Sequence, residues 1–172
     1  YLFDCSDIDD IITFQKDGTM KVVKVEPKTF IGKNIVHVAV WKKNDKRTVY
    51  NMIYREGRDG QFYMKRFSVT GVTRNNDYKL ASDQKGSEML YFSANPNGEA
   101  ESVTVLLKRN ARIGKNKIEL DFSELGIKGR DSKGNLVTKY PVKKVDLKEE
   151  GHSTLAPRKI WFDDTVRRLN AD

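Results

Sequence analysis

The sequence predicts an all-β fold made of repeated, roughly four-stranded antiparallel blades. Three observations support this prediction. Short β-rich runs joined by glycine-containing turns recur along the chain, helical periodicity is nearly absent, and the turn glycines are spaced by about the length of one blade. The 172 residues are therefore assigned to a single domain, 1–172. At roughly 40 residues a blade, the chain has length for about four blade repeats, so we expect an incomplete or open ring.

The clearest hairpin motif is IITFQKDGTMKVVKV at 11–25, in which Asp17 and Gly18 signal a tight turn. The same motif recurs at 51–67, around Asp59-Gly60, and at 89–107, around Asn97-Gly98. Further β-rich runs follow at 136–147 and at 159–162. Each pair of runs around a turn is expected to form one antiparallel hairpin.

Two regularities favour a true repeat over chance similarity. The turn glycines Gly18, Gly60, Gly98 and Gly134 are 42, 38 and 36 residues apart. The sequence I-G-K-N occurs in FIGKNIVHV and again, 82 residues later, in RIGKNKIEL, about two blade lengths apart. Blades stacked round an axis bury both faces of each sheet, and their outer loops form a continuous rim.

The charge predicts a polyanionic partner. The chain has a net charge of +8, and residues 101–148 hold 12 Lys and Arg against 6 Asp and Glu. A domain this basic suggests an acidic polymer or an anionic surface as partner. The alternative is a solvated, lysine-rich face without a ligand.

The glycine-rich segment IKGRDSKGNLVTK at 127–139 raises the question of nucleotide chemistry. Gly129 and Gly134 have the spacing of a phosphate-binding P-loop, but Asn135 and Leu136 stand where that motif needs Lys and Ser or Thr. The following residues also read as a strand, without the helix that completes such a site. The sequence therefore argues against nucleotide hydrolysis.

Other catalytic or metal-binding patterns are missing from the sequence. His37 lies in the strand-like run IVHVAV and is expected to line that strand, and His152 lies in a polar loop. The single cysteine, Cys5, cannot form an internal disulfide or a cysteine zinc site and favours a reducing compartment. The acidic segment DCSDIDD at 4–10 is expected to keep a sheet edge soluble. We expect no cofactor, no metal and no catalytic residue.

Two further expectations concern the chain as a whole. It has no apolar run of the roughly 20 residues that a membrane helix needs, so no membrane association is expected. It opens directly on strand-like sequence, which is typical of a domain cut from a longer protein.

The candidate ligand-binding residues are cations expected on outer loops, where nearby glycines let the backbone approach a phosphate. Lys65 and Arg66 close the second hairpin, and Arg130 stands in the glycine-rich segment. The full candidate set is Lys65, Arg66, Arg74, Lys108, Arg109, Arg112, Lys128, Arg130, Lys133, Lys143, Lys144 and Arg158. Their recurrence about once per repeat predicts equivalent positions on the rim.

The sequence lacks the elements that read bases. No recognition helix for a major groove and no aromatic RNA-binding strand motif is visible. The strand aromatics are expected to pack in the core: Phe14, Tyr54, Tyr63, Tyr91, Phe92, Phe122, Trp161 and Phe162. The prediction is therefore contact with the backbone of duplex DNA, with little sequence preference and with bending of the duplex.

A family resemblance rests on longer segments. The chain contains DDIITFQKDGTMKVVKV, YMKRFSVTGVTR, LYFSANPNGEAE, DFSELGIKGRDSKGNLVTK and RKIWFDDTVRRLN. Together they resemble the C-terminal domain of bacterial type IIA topoisomerase A subunits, of the topoisomerase IV/gyrase A-like type of the Bacteroides group. Gly129, Arg130 and Gly134 match the blade element in which a G-R-x-x-x-G segment follows a short strand.

The resemblance implies a β-pinwheel, a propeller-like ring in which neighbouring blades exchange strands. It implies that the outer face binds and bends duplex DNA beside the cleavage core, and so steers segments for strand passage, supercoiling control and decatenation. It also implies that the parent enzyme holds two copies of its A subunit together with the ATPase B subunit, in a bacterial cytoplasmic, nucleoid-associated location. The catalytic tyrosine of the family lies in another domain, so this chain is expected to be non-catalytic.

Two departures from the family pattern qualify these expectations. Gyrase A subunits carry the box Q-R-R-G-G-K-G, and here only KGRDSKG at 128–134 loosely matches it. A topoisomerase IV-like role therefore fits better than strong chiral wrapping. Family domains also usually have five or six blades, more than this length provides. The competing hypothesis, from another functional class, is a propeller-like scaffold whose basic face meets acidic protein or RNA.

Overall fold

The structure is an all-β assembly of several small sheets. The computed structural model describes residues 1–109, 112, 114–156 and 158–171, and it contains strands together with one short 3-10 helix, Phe122–Glu124. The sheets do not close into a ring. The predicted fold class, an incomplete propeller-like array of antiparallel blades, is confirmed.

Four sheets follow one another along the chain. The first has the order β3-β1-β2-β6, with β1 Asp10–Gln15, β2 Thr19–Lys24, β3 Ile35–Trp41 and β6 Tyr78–Lys79. The second has β4 Val49–Arg55, β5 Phe62–Ser68, β7 Glu88–Asn95, β10 Ile127–Gly129 and β11 Asn135–Thr138. The third has β8 Glu99–Leu107, β9 Lys117–Asp121 and β12 Val142–Ser153, and the last is a hairpin of β13 Ile160–Asp163 and β14 Arg168–Ala171.

The sheets share one plan, in which neighbours exchange strands. Each begins with a hairpin: β1–β2, β4–β5, β8–β9 and β13–β14. In the first three sheets, a later strand pairs with the first hairpin strand: β3 with β1, β7 with β4 and β12 with β8. The second hairpin strand pairs with a segment from farther along the chain. β6 pairs with β2 in the first sheet, and both β10 and β11 pair with β5 in the second.

The predicted hairpin over 89–107 is wrong. β7 and β8 lie in different sheets, so the Asn97-Gly98 turn is a crossover from one sheet to the next. β7 pairs with β4 and faces both cores, with Met89 in the first and Leu90 and Tyr91 against the second, whereas β8 pairs with β9 and β12. A turn dipeptide reverses the chain direction, but the partner of each strand is chosen by the surface it must bury.

The glycine spacing follows the structural repeat only from Gly18 to Gly60, and the I-G-K-N similarity does not follow it. Gly18 and Gly60 lie in or beside equivalent hairpin turns, whereas Gly134 lies between β10 and β11. The first I-G-K-N leads into β3 and the second into β9, which hold different positions in their sheets. Ile113 of the second copy lies outside the described residues. The repeat is therefore carried by the order of strand pairing and not by these sequence similarities.

Two hydrophobic cores lie on opposite faces of the second sheet. Met52 and Tyr54 of β4 pack with Phe14 of β1 in the first core, while Ile53 of β4 packs with Val105 of β8 in the second. Because side chains alternate across a strand, β4 contributes to both cores and is buried along most of its length. The second sheet is thus the central layer on which the first and third sheets pack.

The aromatic predictions are confirmed for most positions and wrong for two. Phe14, Tyr54 and Phe122 are fully buried, Tyr63 is buried, and Tyr91 and Phe92 are half-buried. Trp161 and Phe162 are 53% and 56% exposed. They lie on the two-stranded β13–β14 hairpin, and no other described strand pairs with it.

His37 lines β3, as predicted. Its ring is half-buried, 6.0 Å from that of Phe14 and 5.6 Å from that of Phe92 between centroids. Burial lowers the pKa of His37, which favours the neutral imidazole. The residue therefore has a packing role.

Asp10, the residue of the acidic segment 4–10 that lies in a strand, does not lie at a sheet edge. Asp10 begins β1, which is an interior strand of the first sheet. Its carboxylate accepts hydrogen bonds from Arg74 Nε at 2.8 Å and Nη2 at 3.1 Å. Asp10 therefore ties the start of β1 to the segment that carries β6.

Replacing Gly134 with Ala is predicted to destabilise the fold. Gly134 has φ +93°, and a Cβ there would lie 2.4 Å from the carbonyl oxygen of Met64. We expect a loss of about 2 kcal/mol or more in the free energy of unfolding, because strained backbone and a clash add. Urea unfolding measures this loss. Gly129→Ala is the matched control, since its Cβ would meet nothing within 4 Å. Equal stabilities of the two variants would contradict the prediction.

Candidate nucleic-acid interface

Lys65 and Arg66 are buried in β5 and do not lie on the surface. Their side chains are 2% and 3% exposed, so the prediction that they lie on an outer loop is wrong. The error has a simple cause, because a Lys-Arg pair at the end of a hairpin resembles an exposed cationic cluster. In β5 the two side chains point to opposite faces of the sheet, and each meets a different set of acceptors.

The ammonium of Lys65 is held by three backbone carbonyls from two other parts of the chain. Nζ donates to the oxygens of Leu80, of Arg130 at 2.8 Å and of Ser132 at 2.9 Å. Burial lowers the pKa of Lys65 to about 8, so the side chain is still mainly an ammonium at neutral pH. Its three N–H donors therefore match three acceptors and fix the loop between β10 and β11 against β5.

The guanidinium of Arg66 makes the corresponding connection on the other face. Nε donates to Asn51 Oδ1 at 3.0 Å, and Asn51 Nδ2 donates to Glu101 Oε2 at 2.9 Å. The remaining acceptors are the oxygen of Gly98, Thr154 Oγ1 and the oxygen of Leu125. This network joins β4, the β7–β8 crossover and the segment after β12. Arg66 therefore stabilises the junction between the second and third sheets.

The glycine-rich segment 127–139 combines exposed cations with cations that contact other residues. Lys128 is exposed. The Arg130 guanidinium lies 4.5 Å from the centre of the Tyr78 ring, and its Nη1 donates to the oxygen of Gly71 at 3.2 Å. Lys133 lies 3.3 Å from a Glu56 carboxylate oxygen. Arg130 and Lys133 thus use part of their hydrogen-bonding capacity inside the protein.

Two other predicted cations form ion pairs. Arg74 pairs with Asp10 at 2.8 Å, and Lys144 pairs with Asp146 at 3.0 Å. Both cations are about half exposed, so they can still approach a polyanion, although a ligand must compete with a carboxylate for each.

A cationic group of side chains forms where β8 ends and β12 begins. Lys108, Arg109 and Lys143 line an open cavity of about 530 Å³ together with Leu106, Leu107 and Asn116. The backbone fixes the site, because Lys108 N–H donates to the oxygen of Pro141 at 2.9 Å. The structure thereby brings together two clusters that are more than 30 residues apart in the sequence. We call Lys108, Arg109 and Lys143 the β8–β12 cluster.

Two other predicted cations, Arg112 and Arg158, do not line this cavity. Arg112 is exposed and follows Arg109 in the turn between β8 and β9. Arg158 precedes β13 and lines a different cleft, together with Lys46 and Arg47. Lys46 and Arg47 were not among the predicted cations, although KKNDKR at 42–47 holds four cations in six residues.

Three findings concern other kinds of site. Within them, no group of three or more His, Cys, Asp or Glu side chains could hold a metal ion. No helix in that part of the chain is long and apolar enough to cross a membrane. β11 follows the glycine-rich loop where a P-loop would need a helix.

Replacing Lys65 with Met is predicted to weaken the fold strongly. The variant keeps the apolar stem but leaves the carbonyls of Leu80, Arg130 and Ser132 without this donor. We expect a loss of about 3 kcal/mol or more in the free energy of unfolding, measured by urea denaturation. Lys139→Met, at an exposed position, is expected to stay within about 0.5 kcal/mol of the original protein. A Lys65→Met variant as stable as this control would show that the three-carbonyl site contributes little.

Comparisons with known proteins agree with this picture. The family model for the topoisomerase C-terminal domain of Bacteroidota matches residues 3–150. The chain is also 28% identical over 150 residues to the A subunit of DNA topoisomerase 4 from Borreliella burgdorferi, a match that covers 86% of this chain. It spans 22% of the length of that relative. With the strand-exchanged sheets described above, the match of the family model to most of the chain shows that this protein belongs to the Bacteroidota topoisomerase C-terminal domain family.

Proposed function

We propose that the domain binds the backbone of duplex DNA with little sequence preference and bends the duplex along its cationic surface. The observation that carries this proposal is the β8–β12 cluster, in which Lys108, Arg109 and Lys143 converge on one open cavity that no carboxylate of the described residues lines. Like charges held together in this way repel each other, and a polyanion relieves the repulsion. Phosphate groups suit such a site because Lys and Arg bind them without reading sequence.

The architecture supports backbone contact over base readout. The described residues form strands and one three-residue 3-10 helix, so they contain no recognition helix for the major groove. The buried aromatics are committed to the two cores and are unavailable for stacking on bases. Exposed cations lie on loops and strand ends of several sheets, where they can contact phosphate groups. Contacts spread along such a surface favour a bent duplex.

Membership of the family supports a proposal for the biological role. In the proposed setting, the domain belongs to the A subunit of a type IIA topoisomerase, where it steers DNA segments for strand passage beside the cleavage core. The partners are duplex DNA, the ATPase B subunit and the rest of the homodimeric A subunit, in the bacterial cytoplasm at the nucleoid. The similarity to a DNA topoisomerase 4 chain favours a topoisomerase IV-like role. The domain itself needs no cofactor for this role.

A second candidate function is a scaffold for protein or RNA partners. The observation that favours it is the exposed aromatic pair on the β13–β14 hairpin, since Trp161 and Phe162 are each more than half exposed. Exposed aromatics of this kind are typical of protein interfaces. The two candidates differ in whether the chain binds duplex DNA at moderate salt.

Replacing the β8–β12 cluster tests the proposal. In Lys108→Gln/Arg109→Gln/Lys143→Gln, we expect duplex affinity to fall roughly tenfold or more and the slope of log affinity against log salt to become shallower by about 2.7, because three phosphate contacts are lost. Affinity is measured by anisotropy across a salt series. A duplex of ~40 base pairs is shorter than the persistence length, so energy transfer between its ends reports bending.

The matched control removes the same charge elsewhere. Lys24, Lys28 and Lys85 are exposed, and their triple Gln variant should keep affinity within about twofold of the original protein. Equal losses in both variants would show that only net charge matters. Absence of duplex binding by the original protein, with retained binding to an acidic protein or RNA, would support the scaffold function instead.

A further inference from the structure

The β3–β4 loop at 42–47, which we call the crossover loop, carries an unusual density of charge. Its sequence KKNDKR holds four cations and one carboxylate. The Asp45 carboxylate makes its hydrogen bonds locally. It accepts them from the backbone N–H of Arg47 at 2.8 Å and from Thr48 Oγ1 at 2.7 Å. The carboxylate thus shapes the loop, and Lys42, Lys43, Lys46 and Arg47 are exposed around it.

The crossover loop is held in one place. Asn44 adopts a left-handed backbone conformation with φ +63°, and its N–H donates to the oxygen of Thr70 at 2.8 Å. The next residue, Gly71, accepts a hydrogen bond from Arg130 Nη1 at 3.2 Å. The crossover loop and Arg130 of the glycine-rich segment therefore contact consecutive residues, Thr70 and Gly71.

Arg47 is oriented for binding. Its Nε donates to Asn97 Oδ1 at 2.8 Å, which fixes the guanidinium plane. Among the described residues, Nη1 and Nη2 of Arg47 make no hydrogen bond, and the nearby Glu99 carboxylate interacts with the guanidinium electrostatically, so a ligand at this edge competes with Glu99. A guanidinium edge of two parallel N–H groups matches two oxygens of a phosphate. Asn97 is thus a positioning residue for Arg47.

The crossover loop faces a second cationic segment across an open cleft. Lys46 and Arg47 line one side, Ser153, Leu155 and Ala156 line the other, and Arg158 adds a third cation. The cleft has a volume of about 840 Å³, and none of the described residues that line it is acidic. The nearby carboxylate, Glu99, accepts the backbone N–H of Asn97 at 2.9 Å and stabilises the turn that supports Arg47.

We propose that this cleft, formed by Lys46, Arg47 and Arg158, is a second contact for the phosphodiester backbone of duplex DNA. The inference rests on the proposed function and deepens it, because it assigns a DNA contact to the sheet-to-sheet crossovers as well as to the β8–β12 cluster. The crossovers β3–β4, β7–β8 and β12–β13 meet at the cleft, and each contributes to it or supports it. A backbone held here follows the junction between repeats.

The first test removes the three cations. Lys46→Gln/Arg47→Gln/Arg158→Gln should bind the ~40 base pair duplex roughly tenfold more weakly, with a salt slope shallower by about 2.7. The Lys24/Lys28/Lys85 triple Gln variant, which loses the same charge, is the control. Urea unfolding of both variants checks that stability is unchanged. A cleft variant that binds like this control overturns the inference.

The second test keeps the charge constant. Asn97→Ala removes the acceptor that orients Arg47 and should weaken duplex binding about threefold, since a freed arginine must be ordered again on binding. Combined with Arg47→Gln, it should add no further loss, because both changes remove one interaction. Additive losses would show that Asn97 acts independently of Arg47 and would overturn its positioning role.

The outcomes separate this inference from the proposed function. If the original protein does not bind duplex DNA, the proposed function and the cleft assignment both fail. If it binds and only the β8–β12 variant is weakened, the proposed function stands and the cleft assignment is overturned. If the cleft variant loses affinity for poly-glutamate but keeps its affinity for the duplex, the cleft is a protein-binding site and the inference is likewise overturned.

Discussion

The assembly depends on one buried ammonium. Lys65 lies in the middle of β5, and its three hydrogen bonds go to Leu80, Arg130 and Ser132, in two segments that are distant in sequence. A buried charge is tolerated only when its donors are all satisfied, so each segment must take its place before the site is complete. This requirement couples the β10–β11 loop to the second sheet. The positions of the loop cations Arg130 and Lys133 are therefore set by Lys65.

Arg66 has a similar role at the junction between the second and third sheets. Adjacent residues of a strand face opposite ways, so Lys65 and Arg66 secure two different junctions from neighbouring positions of β5. The basic composition therefore has two uses in this fold. Cations inside the protein satisfy backbone carbonyls where repeats meet, whereas exposed cations such as Lys108 and Lys143 gather at the edges. Net charge alone does not distinguish the two groups.

The sequence predicted local features well and long-range ones poorly. Turn dipeptides at Gly18 and Gly60 and the lack of helical periodicity led to the all-β fold, because they report backbone preferences of a few residues. The pairing of β7 with β4, and the burial of Lys65, depend on surfaces far apart in the chain, which no local pattern reports. The crossover loop was missed although its charge density was visible in KKNDKR, because it holds no glycine that would mark it as a phosphate-binding loop.

The most direct test of this division of cations is acylation of lysines, read residue by residue by mass spectrometry with and without duplex DNA. We expect Lys65 to stay unreactive in both states, whereas Lys46, Lys108 and Lys143 react in the free protein and become protected by the duplex. Lys24 and Lys85 should react equally in both states. A reactive Lys65 in the folded protein, or protection spread evenly over all exposed lysines, would contradict this division of cations.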